Sequence, residues 1–440
     1  MSTLNYQSGF RNHFATEISP GLLPLGQNSP QRVAQGLFAE LLSGTAFTSP
    51  RHQNLRTWMY REVPSVVTMP CGPYRPADKG HDSMWLSEAS SVPSCPPNPM
   101  RWAPFNYPNL SLDFVDGLFT LAVNGSAQAQ VGIAIHMYFV KRSMEKRALR
   151  NGDGEMLIVP QEGRLLTTTE CGRLEVTPGE IVVIPRGMAF KVDLLDPQAR
   201  GYVCENFGAA FQLPELGPIG SNGLANPRDF MSPVAWVEES SSKAGEAYEM
   251  IRRSGAQLWS STQAHGPFNV AAWHGNLVPY KYDTANFMVL GSISFDHPDP
   301  SIFTVLTSTS DTPGTANCDF VIFPPRWLVA ENTFRPPWYH RNIMSEFMGL
   351  IHGRYDAKEE GFRPGGASLH NSMVPHGPDG DAFAKASEAS LSPQKLDNTL
   401  AIMFESRYLL RPTEFALTNP SLEQGYWQCW QGLSGPTSFE

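Results

Sequence analysis

His340 and Glu346 lie six positions apart in "PPWYHRNIMSEFMGL" (336–350), a stretch that is otherwise apolar and aromatic. A carboxylate in such surroundings is costly unless it is paired or bound to an ion. Imidazole and carboxylate together make a ligand set for a transition metal, but geometry limits how these two could share one. Over six residues a helix turns through about 600°, leaving the side chains about 120° apart. A straight strand puts them on one face but roughly 20 Å apart. Donors about 2 Å from a common ion lie about 3 Å from each other. The chain must therefore turn back between the two residues, and Arg341-Asn342 is where it can do so.

A third ligand is needed. Five of the eleven histidines (His297, His340, His352, His370 and His376) fall between 297 and 376, and spacing leaves His352, His370 and His376 all open as candidates. His376 sits in "SMVPHGPDG", with Pro375 and Gly377 constraining the backbone on either side. His352, close to Arg354, reads more simply as a surface residue. Two histidines and one carboxylate form the facial set that leaves three positions open on non-haem Fe(II), enough for a chelating substrate and dioxygen together. The same donors hold Zn(II) or Mn(II), so a metal-dependent isomerase or hydrolase competes with an oxygenase. A non-catalytic protein that stores or senses a small molecule is the competing reading from outside catalysis.

The elements that would position these residues are mostly strands. Gly (37) and Pro (38) are plentiful, and β-branched and aromatic runs such as "VGIAIHMYFV" (131–140), "FMVLGSISF" (287–295) and "SIFTVLTS" (301–308) are bounded by turn residues. The clearest signal is 151–193, where short strands alternate with "QEG", "ECG" and "TPGE" turns and end in "IVVIPRG". Pro178-Gly179 suits a tight turn, since Pro fixes φ and Gly admits a positive one. The cadence resembles a cupin, the small jelly-roll barrel. This window offers Glu155, Glu162 and Glu170 but no histidine, so a metal-free structural barrel is expected here, with the chemistry further along. The expected fold is all-β: a cupin-type, bicupin-like jelly-roll β-sandwich with a few peripheral helices. Helix is expected near 381–389 and after Gly245, and "SEASSVPSCPPNP" (87–99) reads as an irregular surface excursion.

Composition narrows the function. At 440 residues the chain exceeds one ordinary core. Charged residues are 17%, against about 25% in typical soluble domains, which favours surface buried between subunits. The net charge is −9 and no basic run of five or more occurs, so nucleic acid and anionic membrane are not expected partners. Six scattered cysteines lack any CxxC spacing, and there is neither an apolar leader nor an 18-residue apolar window. A cytoplasmic protein is the simplest expectation.

The run "RPPWYHRNIMSEFMGLIHGRYDAKEEGFRPGGASLHNSMVPHGPDGDAFAKAS" resembles the signature region of the homogentisate 1,2-dioxygenase family. "GQNSPQ", "FAELLSGTAFTSPR", "AAWHGNLVPYKYD" and "FDHPDPSIFTVLTS" fit that family in the same order, so the likeness spans nearly the whole chain. It implies a cytoplasmic Fe(II) enzyme of phenylalanine and tyrosine catabolism that converts homogentisate and dioxygen to maleylacetoacetate. It also implies assembly as a hexamer, a dimer of trimers. Carried over by position, the iron ligands fall on His340, Glu346 and His376, and the acid–base histidine on His297. The substrate contacts fall on Tyr355, His370 and His376. An N-terminal β domain (1–282) carrying the metal-free barrel would then precede a C-terminal cupin-like catalytic domain (283–440).

Overall fold

The strand Glu155–Glu162 explains much of the architecture. Its apolar run "MLIV" does not alternate, because both faces are covered: Met156 and Ile158 enter one core while Leu157 and Val159 enter another. Such a strand must lie between two other layers. In this computed structural model, residues 4–25, 30–76, 84–88, 94, 96–215, 224–239, 247–289, 300–328, 338–355, 357–358, 361–390 and 392–435 are described.

The middle layer is a nine-stranded sheet containing Leu118–Val123, Ile133–Val140, Glu155–Glu162, Glu180–Ile184, Ala199–Asn206 and Tyr280–Asp283. On one side it packs on a seven-stranded sheet that includes Arg147–Asn151, Leu165–Thr169, Ala189–Leu194 and Tyr248–Ser254. On the other it meets a six-stranded sheet in the order Thr304–Thr309, Ala316–Phe323, Leu400–Ser406, Ser345–His352, Ala367–His370 and Met100–Trp102. The all-β expectation holds, and the helices are short. The expected helix near 381–389 is present as Gly380–Glu388, with the Asp379 side chain accepting from Ala382 N at its start. No helix among the described residues is long and apolar enough to cross a membrane.

Three readings need correction. The stretch after Gly245 is not a helix but a hairpin, Tyr248–Ser254 against Gln257–Gln263. Gly255 and Ala256 both take a positive φ (61° and 65°), which a two-residue hairpin turn demands. The first barrel is also wider than 151–193, since its sheet recruits Leu118–Val123 and Ile133–Val140 from before the window and Ala199–Asn206 from after it. That brings in a histidine, His136, buried 3.4 Å from Glu205. Finally, the excursion at 87–99 begins in the core: Ser87 is buried and its hydroxyl bonds Glu205. Residues 89–93 and 95 lie outside the described residues.

The two halves of the chain exchange strands. Met100–Trp102 forms the edge of the six-stranded sheet, and Arg411–Pro412 returns to pair with Leu118–Val123 in the nine-stranded one. Between these sheets lie Phe320, Phe347, Ile402 and Phe404, all fully buried. Separating the sheets would expose each at a cost of about 1.5–3 kcal/mol. Tyr202 crosses this layer, donating its hydroxyl to Gly366 O at 2.6 Å while its ring lies against Gly349. A Cβ at 349 would stand 2.6 Å from Tyr202 Cζ. Gly349→Ala should therefore destabilise the fold by about 1–3 kcal/mol through overpacking. Thermal unfolding measures this, and an unchanged midpoint would mean the sheets do not press together there.

Candidate metal centre

The strand Ser345–His352 has two different faces. Phe347 and Ile351 point into the layer shared with the nine-stranded sheet. Glu346, Met348 and Leu350, being two residues apart, share the opposite face, where Met348 and Leu350 join Val321, Phe362, Ala401 and Met403 in a separate apolar cluster. Glu346 stands at the beginning of that face and is 4% exposed.

His340 reaches Glu346 by the turn that the spacing required. Asn342 Oδ1 accepts from Met344 N at 3.0 Å, bending the chain just before the strand begins, and Asn342 Nδ2 donates to Glu346 Oε1 at 2.9 Å. His376 arrives from a loop. His340 N donates to His376 O (2.9 Å) and His376 N to His340 O (3.1 Å), so the two residues form an isolated antiparallel bridge. Gly377 permits this closeness, since a Cβ there would lie 2.5 Å from the Tyr339 ring. Lys358 fastens the same loop by donating from Nζ to Gly377 O at 2.7 Å.

The donor atoms converge. His376 Nε2 lies 2.9 Å from Glu346 Oε2, and His340 Nε2 lies 3.5 Å from Glu346 Oε1. One ligand atom from each of the three residues falls within 4.8 Å of the others, the one such group of three among the described residues. The other nitrogens fix the tautomers: His340 Nδ1 faces Trp338 O at 3.2 Å, and His376 Nδ1 faces Val374 O at 2.9 Å. A carbonyl can only accept, so each Nδ1 carries a hydrogen and each ring turns Nε2 toward the carboxylate, where without a proton it offers a lone pair. Lone pairs at 2.9 Å repel unless a positive charge lies between them. The residues thus fit a bound metal ion: two imidazole nitrogens, one carboxylate, and backbone partners orienting both rings.

The electrostatics agree. Burial alone would raise the pKa of Glu346, yet His340 and His376 hold it well below the usual carboxylate range. Burial pulls the His340 pKa down, but Glu346 more than offsets this and raises it. Glu405, opposite Glu346 on the neighbouring strand, behaves differently. Burial, with Glu346 and Asp319 beside it, raises its pKa to about 8.

The remaining candidates separate. His370 is paired across the strands with Glu346, and its ring stacks on that of His376 at 4.1 Å with 6° between planes. It is not part of the convergent group, and burial, with His376 and Lys358 beside it, pushes its pKa well down. Tyr355 is partly buried against Phe323 and Phe362, beside the apolar cluster that continues the Glu346 face. His352 is exposed. His297 lies outside the described residues. In the first barrel, Glu155, Glu162 and Glu170 do not converge: Glu155 accepts from Phe211 N, Glu162 pairs with Arg200, and Glu170 pairs with Arg61.

Sequence reasoning placed the turn at Arg341-Asn342 but missed the bond from Asn342 to Glu346, and it missed Lys358 and Tyr426, whose hydroxyl lies 3.1 Å from His370 Nε2. The polar "RN" between His340 and Glu346 was a signal for the first. The aromatic "GYWQCW" (425–430) was one for the last.

Two family descriptions cover the chain end to end: "Homogentisate 1,2-dioxygenase N-terminal" over residues 5–284 and "Homogentisate 1,2-dioxygenase C-terminal" over 285–436. The chain belongs to the homogentisate 1,2-dioxygenase family. Its junction, at 284–285, falls just after the Tyr280–Asp283 strand that ends the middle sheet's contribution from the first half. Among solved structures, the chain is similar to the protein Ylba from E. coli (7% identity, TM-score 0.32, covering 72% of this chain and 95% of that one). It is also similar to a cupin 2 conserved barrel domain protein from Leptotrichia buccalis (8%, TM-score 0.27, 65% and 88%). A third is a mutant of Bacillus subtilis oxalate decarboxylase (9%, TM-score 0.30, 74% and 79%).

Proposed function

We propose that this protein is a ring-cleaving dioxygenase that converts homogentisate and dioxygen to maleylacetoacetate in phenylalanine and tyrosine catabolism, using Fe(II) held by His340, Glu346 and His376. The observation that carries this reading is the convergence of two oriented imidazoles and one carboxylate in a chain of the homogentisate 1,2-dioxygenase family. Fe(II) bound there supplies a single centre at which an electron-rich phenolate and dioxygen can exchange electron density, a reaction that is slow between a singlet organic molecule and triplet oxygen.

The protein's own groups do the rest. His297 takes the phenolic proton, a role suited to a side chain that titrates near neutral pH. Tyr355 and His370 hold substrate oxygens, so that the ring is oriented before it reacts. The ring bond that breaks joins the carbon bearing the acetate arm to the adjacent hydroxylated carbon, and both oxygen atoms enter the product. The first half of the chain (1–282) acts as a structural barrel, and the second (283–440) carries the chemistry.

The low charge content and exposed apolar side chains such as Phe47 (84%) and Val66 (80%) support subunit burial in a hexamer, a dimer of trimers. We place the enzyme in the cytoplasm, where this catabolism takes place.

The test is to load the protein anaerobically with Fe(II), add homogentisate and admit air. Oxygen uptake should match ring-opened product one for one, and a chelator should abolish both. Turnover without oxygen uptake would favour an isomerase or hydrolase, and no metal retained by the triad would favour a non-catalytic protein.

A further inference from the structure

We propose that Tyr426 is a positioning residue: its hydroxyl locks His370 as the Nδ1–H tautomer, so that His370 presents a hydrogen-bond donor to an anionic oxygen of the substrate. This rests on the proposed dioxygenase reading and deepens it.

The three histidines of the site are held in two opposite ways. His340 and His376 each direct Nδ1 at a backbone carbonyl and leave Nε2 for the metal. His370 is reversed. Its Nε2 is the nitrogen with a partner, the Tyr426 hydroxyl at 3.1 Å, and its buried Nδ1 has no hydrogen-bond partner among the described residues. That ring lies flat against His376 and within electrostatic reach of Glu346 and His340. A buried polar atom without a partner is costly, because it has given up water and gained nothing in exchange. An orphan beside a metal triad is therefore a place where a ligand atom belongs.

The partner on the other nitrogen decides what that orphan can do. A hydroxyl can donate or accept, and an imidazole nitrogen can do either according to its tautomer. Tyr426 is 3% exposed, and His370 Nε2 is its hydroxyl's hydrogen-bond partner among the described residues. If Nε2–H donated to the phenol, the phenolic hydrogen would be stranded in the interior. If the phenol donates to Nε2, its hydrogen is used, and the imidazole hydrogen must reside on Nδ1. A phenol is also a better donor than acceptor, because its oxygen lone pair is delocalised into the ring. The second arrangement wins on both counts.

The hydroxyl cannot swing away. The Tyr426 ring is held under the Arg101 guanidinium at 4.4 Å, with Arg101 itself paired to Glu423 at 2.6 Å. Trp430 packs on the ring at 5.0 Å, and its indole donates to Pro378 O in the loop that carries His376. The C-terminal turn Tyr426–Trp430 thus registers His370 against the ligand loop. An Nδ1–H donor selects a phenolate or carboxylate oxygen and disfavours a substrate that presents a donor or a C–H there.

Tyr426→Phe removes the hydroxyl and keeps the ring for Arg101 and Trp430. Iron content should match that of the unaltered protein, and the chain should stay folded with a modestly lower thermal midpoint, because the buried His370 Nε2 loses its partner. Anaerobic calorimetric binding of homogentisate to the Fe(II)-loaded protein should weaken by about 10–100-fold, the usual effect of losing an outer partner of a site. kcat/KM should fall by a similar factor. In a His370→Ala background the same substitution should add nothing, because Tyr426 acts only through His370. Unchanged homogentisate binding in Tyr426→Phe, losses that simply add in the double variant, or loss of iron from Tyr426→Phe would each overturn the proposal. These outcomes are distinct from failure of the dioxygenase reading, which would appear as absent oxygen uptake in the unaltered protein.

Discussion

Glu346→Gln should strip the protein of its metal while leaving it folded. The carboxylate meets both histidine donors, at 2.9 and 3.5 Å, and offsets part of the charge of a divalent ion. A glutamine keeps the shape but loses that charge, and its amide nitrogen must face either the Asn342 amide, which already donates to Oε1, or the His376 Nε2 lone pair. Substitutions outside the ligand set typically cost 10–100-fold in metal affinity, so loss of a direct ligand should exceed about 100-fold. Oxygen uptake should fall in parallel. Metal analysis after dialysis, with circular dichroism to confirm the fold, checks this. Full iron occupancy and normal turnover in the variant would remove Glu346 from the metal.

Glu205→Ala should produce the largest loss of stability. Glu205 lies fully buried in the first barrel, where Trp85 Nε1 (2.8 Å) and Asn151 Nδ2 (2.7 Å) donate to its oxygens and Arg253, itself buried, stands 4.0 Å away. Removing the carboxylate takes from the buried guanidinium its nearest counter-charge, which costs about 3–5 kcal/mol. Urea unfolding measures it, and a change below about 1 kcal/mol would show that water reaches Arg253. The same network predicts a pH response. Burial alone would raise the Glu205 pKa, but His136, Arg253 and Trp85 lower it from 4.5 to about 2. Since the folded-state value is the lower one, this stabilisation is fully present above about pH 4.5 and is lost as pH falls toward 2. Glu205→Gln should flatten that part of the stability profile.

The position of this network also shows why one reading of the sequence was too narrow. A window defined by turn spacing, 151–193, contains no histidine. Sheet pairing then places Val203, two residues before Glu205, opposite His136, sixty-seven positions earlier. Turn signals mark where strands end but not which strands become neighbours.

Elsewhere the local signals sufficed. The alternation of short apolar runs with Gly and Pro turns determined an all-β protein, because strand and turn preferences act over a few residues. His340 and Glu346, six residues apart in apolar surroundings, determined that the chain must turn between them, since neither a helix nor a straight strand could bring their donors together. The family was legible from long, ordered runs of residues. Spacing left His352, His370 and His376 open as the third member and the family resemblance pointed to His376, but the contacts that set the three apart belong to the folded chain. It bridges His376 to His340, leaves His352 exposed, and turns His370 the other way round. The reason is physical: a ligand's identity depends on donor atoms meeting within a few ångströms, and those meetings are made by backbone pairing between distant segments. The Tyr426 hydroxyl, fifty-six positions from His370, belongs wholly to that second category.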